Sequence, residues 1–267
     1  MWQFFLASWR GGFRSRALLA CALLGIGLVL IAYLSASFSM RQSRTVALDV
    51  GLSGLRLCLI LVSITLVQDL VGREIERRSV VFSLAYPASR GAYLLGRFFG
   101  VAALAGVATL ILALLLWIAV MIVGGTYEQE FRVHLGLPFW VAVSGIWLDA
   151  MVVASFAVLV STVSTVSVLP LAAGFAFAIA GRAFGPLVDY IQRGASGQEE
   201  MVRAYRPMLE IAQWVIPDLS RLDWRMWPMY GLQPDLSSMA LAAAMALFYT
   251  AAMLSISIWL FARREFP

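Results

Sequence analysis

Six stretches of the sequence are each long and apolar enough to cross a lipid bilayer as an α-helix. A crossing needs about 20 apolar residues, because the hydrocarbon core is roughly 30 Å thick and contains no water to satisfy backbone groups. The stretches cover about residues 17–38, 51–71, 98–123, 138–162, 166–184 and 237–262. Only 13% of the residues are charged, about half the share in a soluble domain. We therefore predict an all-α integral membrane protein, a single domain over residues 1–267 with six transmembrane helices.

The distribution of arginine predicts which side of the membrane holds the termini. The sequence contains no lysine, and six crossings place both termini on one side. That side would hold ten arginines, against three in the short opposite loops, so the positive-inside rule favours cytoplasmic termini in the inner membrane. Five more arginines in the long segment before the last stretch oppose this, but seven acidic residues accompany them. The net charge of +5 does not indicate nucleic-acid binding, because the arginines cluster where lipid headgroups and proteins lie.

The first 16 residues have the pattern of a helix lying in the membrane interface. Four aromatic residues recur at helical spacing: Trp2, Phe5, Trp9 and Phe13. Arginines stand beside them, as is typical of interfacial helices that bury their rings among the lipid chains. The alternative is a signal peptide, but its apolar run of about 20 residues exceeds the usual 7–15.

Residues 185–236 form the second long segment between apolar stretches, on the side opposite the termini. A helical stripe of apolar residues runs along it, followed by tryptophans typical of interfaces. The stripe comprises Met201, Tyr205, Met208, Ala212 and Val215. We expect amphipathic or re-entrant helices here, with an ordinary surface loop as the alternative. Met226 and Met229 could offer thioethers to Cu(I), but packing explains them better, and no metal site is predicted.

Three polar residues within the apolar stretches need partners. Asp149 lies near the middle of the fourth stretch, where a carboxylate facing lipid would cost several kcal/mol. We predict that it faces the bundle and pairs with Arg56 or Arg182. Two alternatives remain: a role in handling substrate or protons, and a misplaced stretch.

The segment 72–97, between the second and third stretches, is strongly charged. Its sequence predicts a polar continuation of the second helix, followed by a short apolar elbow that ends at Pro87. A new helix capped by Ser89 follows. An exposed apolar elbow ringed by charges is typical of a docking site for another protein. The alternative is a loop that anchors two spans to lipid headgroups.

Several kinds of catalytic site have no support in the sequence. Without lysine there is no phosphate-binding loop of the usual Gly-Lys-Ser/Thr type. A lone histidine, His134, and two unpaired cysteines exclude the common zinc spacings. We expect no enzyme activity and no cofactor in this chain.

The segment "REIERRSVVFSLAYPASRGAYLLGRFFG" resembles the cytoplasmic segment of ABC-2-type exporter permeases. In that family "E-I-E", an apolar patch, "P-x-S-R" and "Y-L-L-G-(K/R)" join the second and third spans. The matching residues are Glu74, Ile75, Glu76, Pro87, Ser89, Arg90, Tyr93, Leu94, Leu95, Gly96 and Arg97. The chain departs from the family's frequent Gly-Thr at Arg77, Arg78 and Ser79. "PDLSRLDWR" is similar to permeases of the multicopper-enzyme-maturation type, such as those serving nitrous-oxide reductase.

The resemblance implies a membrane subunit that works with a separate cytosolic ATPase, which would carry the ATP and Mg. Two membrane subunits, here a homodimer, would join two ATPases, with the segment between spans two and three as the coupling helix. The residues implied in coupling are Arg73, Glu74, Glu76, Arg77, Arg78, Val80, Val81, Phe82, Leu84, Pro87, Ser89 and Arg90. The expected function is ATP-driven export. The alternatives are a mechanical transmitter acting on an extracytoplasmic protein and a passive anchor.

Overall fold

The computed structural model describes residues 1–13, 16–38, 42–76, 89–123, 132–164, 166, 168–192 and 216–264. Within these ranges every regular element is helical. Six helices are long and apolar enough to cross a membrane. The prediction of an all-α membrane protein with six spans is confirmed.

The six spans follow a short N-terminal helix, Trp2–Phe13. They are span 1 (Arg16–Phe38), span 2 (Ser43–Glu76), span 3 (Arg90–Ile122), span 4 (Leu137–Val163), span 5 (Leu169–Gln192) and span 6 (Leu236–Arg263). Span 2 is interrupted by one stretch of π-helix, Gln68–Gly72. Between spans 5 and 6 lie a 3₁₀ helix, Leu219–Leu222, and a short α-helix, Met226–Tyr230.

Spans 2 and 3 extend well beyond the apolar stretches that predicted them. Span 2 begins at Ser43 and span 3 at Arg90, each eight residues before its apolar stretch, which begins at 51 or 98. The predicted cap of span 3 is present, since the Ser89 hydroxyl oxygen accepts a hydrogen bond from the Ala92 amide at 3.2 Å. The length of an apolar stretch indicates only the part of a helix that lies in the hydrocarbon layer. The helix itself continues wherever its backbone hydrogen bonds and its caps are satisfied.

Spans 2 and 4 form the centre of the bundle, while spans 1, 5 and 6 keep most of their surface on the outside. Small residues let the central helices approach closely, as is common between membrane helices. A Cβ atom added to Gly54 of span 2 would lie 2.3 Å from a methyl of Leu28 in span 1. One added to Gly51 would lie 2.1 Å from Leu116 in span 3.

The bundle has two ends, which we name by the residues there. The terminal end holds the N-terminal helix, Glu76, Arg90 and Arg263, and the far end holds the starts of spans 2, 4 and 6. Arg264 closes the terminal end by donating hydrogen bonds to the carbonyls of Thr162, at 2.7 Å, and Ser164, at 3.1 Å. The turn between spans 4 and 5 therefore lies at the same end as both chain termini.

The N-terminal helix packs against the start of span 3. A Cβ atom on Gly96 would lie 2.7 Å from the Cβ of Phe4, and one on Gly100 would lie 2.3 Å from the Cβ of Ser8. The two glycines, four residues apart on one helical face, therefore form the surface that receives this helix.

Candidate functional site

Span 2, span 3 and the N-terminal helix meet at a polar cluster on the terminal end. Glu74 forms an ion pair with Arg97 and accepts a hydrogen bond at 2.6 Å from the hydroxyl of Tyr93. Arg97 also donates to the Ser8 hydroxyl oxygen at 3.1 Å. We call Ser8, Glu74, Tyr93 and Arg97 the terminal junction. It ties together the two helices that flank residues 77–88.

The end of span 6 is attached to the same cluster. The Arg90 guanidinium donates to the backbone carbonyls of Phe261, Ala262 and Arg264 at 3.2, 3.0 and 2.8 Å. The rings of Tyr93 and Phe261 stack with their centroids 5.9 Å apart. A displacement of the start of span 3 would therefore move the C-terminal end of span 6 as well.

The predicted coupling residues fall into three groups. Glu76 and Arg73 are exposed at the end of span 2, and Arg73 pairs with Asp69 at 2.9 Å. Glu74 turns inward to the terminal junction, while Ser89 and Arg90 begin span 3. The remaining predicted residues lie outside the described ranges: Arg77, Arg78, Val80, Val81, Phe82, Leu84 and Pro87.

The π-helix of span 2 stands directly before the coupling residues. Leu70, Val71 and Gly72 are buried there against the bundle, while the ion pair between Asp69 and Arg73 spans the irregular turn. Single turns of π-helix inside α-helices are frequent at functional sites. This turn is the last irregular element of span 2 before the residues predicted to couple to an ATPase.

A second cluster of charges lies inside the bundle, nearer the far end. Asp149 of span 4 is 1% exposed, and its Oδ2 atom lies 3.6 Å from Arg56 Nε and 3.1 Å from Arg182 Nη1. The predicted pairing of Asp149 is thus present with both candidate arginines. Arg56 also makes a two-pronged contact with Asp223, with Nη1 and Nη2 each 2.9 Å from a carboxylate oxygen.

The cluster continues outward through Arg225. This arginine lies 2.8 Å from Asp223 and 2.9 Å from Asp49 at the start of span 2. The charge network therefore contains three arginines and three carboxylates, which balance: Arg56, Arg182, Arg225, Asp49, Asp149 and Asp223. Mutual neutralisation is what allows such groups within a membrane domain.

Asp223 is ionised within this network. Burial raises the pKa of Asp223, but the hydrogen bond and charge of Arg56, with the charges of Arg225 and Arg182, hold it at about 2. The ionised Asp223 therefore contributes its full stabilisation at any pH above the ordinary pKa of a carboxyl group. That stabilisation is lost as the pH falls from there toward 2.

Asp223 reaches Arg56 and Arg182, the two partners of Asp149, because the segment 216–230 packs between the spans. Three glycines of spans 4 and 5 make room for it. A Cβ atom on Gly145 would lie 2.6 Å from the Leu222 carbonyl oxygen, and one on Gly181 would lie 2.9 Å from Leu219. Next to Gly185, Asp218 accepts from the Ser220 amide at 3.1 Å and so begins the 3₁₀ helix. Residues 216–230 hold two short helices packed against spans 4 and 5, and we call them the re-entrant segment. The amphipathic or re-entrant path of the whole segment stays a prediction, and the stripe 201–215 lies outside the described ranges.

Gly145→Leu is expected to displace the re-entrant segment, since its side chain would occupy the space of the Leu222 carbonyl and the Trp224 ring. Overpacking of this kind typically costs 1–3 kcal/mol. The measurement is the thermal midpoint of the purified chain in detergent. Gly27→Leu is the control, because a Cβ atom there meets nothing within 4 Å. Equal midpoints for the two variants would contradict the packing described.

Sequence reasoning missed Asp49, Asp223 and Arg225 as members of the network. Asp223 and Arg225 stand in "PDLSRLDWR", a motif with no local feature that links it to Asp149. The available signal was charge balance, since one carboxylate cannot neutralise both Arg56 and Arg182.

The sequence model of the ABC-2 family transporter proteins matches residues 6–266. This chain belongs to the ABC-2 transporter family. A comparison with curated proteins gives no match. Membership implies a permease role in association with an ABC ATPase, and this family's membrane component normally has no ATPase site of its own.

The family assignment gives the terminal junction a context within an ABC-2 permease. Its residues fall inside the matched range and join both helices that border the segment 77–88. An ATPase acting on this segment would thus act on spans 2, 3 and 6 and the N-terminal helix together.

Proposed function

We propose that the chain is the membrane subunit of an ATP-driven exporter of the cytoplasmic membrane, with both termini in the cytoplasm. A separate ATPase would bind the segment 72–97, and two copies of the chain would join two ATPases. The observation that carries this proposal is the terminal junction. It links the segment's two flanking helices through Glu74, Arg97 and Tyr93.

The junction supplies a physical route from the ATPase to the spans. A push on residues 77–88 reaches span 2 and span 3 as one unit, because the Glu74 carboxylate holds side chains of span 3. Arg90 passes the displacement to span 6 through three backbone carbonyls. The π-helix Gln68–Gly72 lets the end of span 2 move without breaking the helix.

The charge network favours the alternative function, transmission of motion to an extracytoplasmic protein. It fastens the re-entrant segment to spans 2, 4 and 5 through Arg56, Asp149 and Arg182. Movement of the spans would therefore shift the far-end surface, with no need for a passage through the bundle. A partner protein there, as in metalloenzyme maturation, would cross-link to a photoreactive residue at Leu232 or Leu236, which are 61% and 75% exposed.

Glu76→Arg tests the proposed ATPase contact. Glu76 is exposed beside residues 77–88, so reversing its charge should weaken docking without disturbing the bundle. We expect at least a tenfold loss of ATPase binding, equivalent to about 1.4 kcal/mol. The measurement is co-purification of the ATPase, and stimulation of its ATP hydrolysis, with the full chain in nanodiscs.

The matched control is Asp235→Arg, the same kind of charge reversal on the surface of the far end. It should leave ATPase binding unchanged. Failure of the wild-type chain to retain any ABC ATPase would contradict the proposed function itself. Full binding by Glu76→Arg would show that the ATPase contacts another surface.

A further inference from the structure

A cavity of about 220 Å³ opens between spans 2 and 5, beside the charge network. The described residues that line it are Ser53, Arg56, Leu57, Ile60, Phe175, Ala178, Ile179, Arg182 and Arg225. All the charged residues in this lining are arginines. We call this cavity the arginine groove.

Along the axis of the spans, the groove is polar at one end and apolar at the other. Span 2 runs from the far end, so Ser53 and Arg56 precede Leu57 and Ile60, and Ser53 and Ile60 are about 10 Å apart along the helix. Span 5 runs the opposite way and places Arg182 beyond Ile179 in the same sense. A lipid whose headgroup faces the far end has this polarity.

The arginines of the lining are held in place by ion pairs with carboxylates of the charge network. The Arg56 side chain is 8% exposed and is fixed by Asp223 and Asp149. Both carboxylates are absent from the lining, whereas Arg56, Arg182 and Arg225 are part of it. Each guanidinium has five N–H donors, more than these ion pairs use. An anion in the groove would meet arginine side chains whose positions are set by Asp49, Asp149 and Asp223.

The groove opens sideways, toward the membrane. Leu57 and Ile179 at its apolar half are 51% and 56% exposed, and Phe175 is 36% exposed. In a membrane-spanning helix this surface lies among lipid chains. A ligand entering here must carry an apolar portion, which a free aqueous anion lacks.

We propose that the arginine groove binds the phosphate headgroup of an anionic membrane lipid, with an acyl chain along Leu57, Phe175 and Ile179. Guanidinium groups match phosphate oxygens in a bidentate geometry, and phosphate is the anionic group that membrane phospholipids carry. The volume lies below the 300–1,000 Å³ typical of pockets that enclose a whole small ligand. The headgroup and the beginning of one chain fill it, and the rest of the lipid stays in the bilayer. Under the orientation proposed above, the lipid belongs to the outer leaflet.

The test is lipid binding to the delipidated full-length chain, measured by native mass spectrometry. The probes are phosphatidylglycerol and phosphatidylcholine with the same acyl chains. We expect the tightest phosphatidylglycerol site to bind at least fivefold more strongly than phosphatidylcholine. Arg225→Gln should weaken that site at least fivefold. Arg221→Gln is the matched control, since it removes an arginine from the same segment that does not line the groove, and it should leave binding unchanged.

Ile179→Trp tests the apolar half without touching the charge network. The residue is exposed, so the larger side chain should fold normally while it occupies the chain-binding surface, and lipid binding should fall severalfold. Competition by inorganic phosphate, together with unchanged binding in Ile179→Trp, would overturn the proposal in favour of a free-anion site. Equal losses in Arg225→Gln and Arg221→Gln would also overturn it. So would efficient disulfide formation between copies of Leu57→Cys in native membranes, because a second copy would then cover the groove.

Discussion

Arg56→Ala is expected to lower the stability of the folded chain by about 3–5 kcal/mol, the usual cost of removing one partner from a buried ion pair. The substitution leaves Asp149 and Asp223, with side chains 2% and 15% exposed, to share the charges of Arg182 and Arg225. The two-pronged contact that holds the re-entrant segment against span 2 is also lost. The measurement is the fraction of monodisperse protein remaining after heating in detergent.

Asp149→Asn should be clearly milder, with a cost of about 1–2 kcal/mol. The carboxamide oxygen can still accept the hydrogen bond from Arg182, and Arg56 retains its shorter contacts with Asp223. Arg221→Ala is the surface control, because an exposed ion pair of this kind contributes at most about 1 kcal/mol. Equal losses of stability for Arg56→Ala and Asp149→Asn would contradict the pairing seen here.

The pairing of Asp149 could be predicted because the bilayer restricts the alternatives. A carboxylate at that depth needs a cation, and the apolar stretches contain few. The six spans were predictable for a related reason, since each must supply an apolar run of fixed length. Both inferences use a property of the solvent rather than of the fold.

The re-entrant path of residues 216–230 could be proposed but not placed from the sequence. Its depth depends on Gly145 of span 4 and on Gly181 and Gly185 of span 5, whose missing side chains admit the segment. No local pattern shows which of the 21 glycines in the chain face an approaching backbone. Asp223 and Arg225 were missed for this reason.

The position of Glu74 shows a different limit of sequence reasoning. The sequence suggests a local partner, Arg78, four residues later on the same helical face. The structure pairs Glu74 with Arg97, 23 residues away, across the segment that joins spans 2 and 3, while Arg78 lies outside the described ranges. No local sequence pattern indicates the pair of Glu74 and Arg97, although both residues belong to the motif that resembles the ABC-2 permeases.

Reversing the charge of either member of this pair is expected to uncouple the chain from its ATPase. In Glu74→Arg two cations would face each other, with Arg97 only 7% exposed, and in Arg97→Glu two anions would do so. Either change also removes a charge-assisted hydrogen bond, which contributes about 1.5–3 kcal/mol. We expect at least a tenfold loss of the ATP hydrolysis that the wild-type chain stimulates in nanodiscs, together with a lower thermal midpoint.

The exchanged double variant, Glu74→Arg with Arg97→Glu, should recover much of both losses. It restores an ion pair between spans 2 and 3, and the hydroxyls of Ser8 and Tyr93 can serve either charge as donor or acceptor. Arg263→Glu is the control at the same end of the bundle, where the arginine packs on the Trp259 ring outside the junction. Recovery of thermal stability without recovery of ATPase stimulation would mean that Glu74 contacts the ATPase directly. Recovery of both thermal stability and ATPase stimulation would mean that Glu74 acts through its ion pair with span 3. In that case either residue of the pair can carry the negative charge.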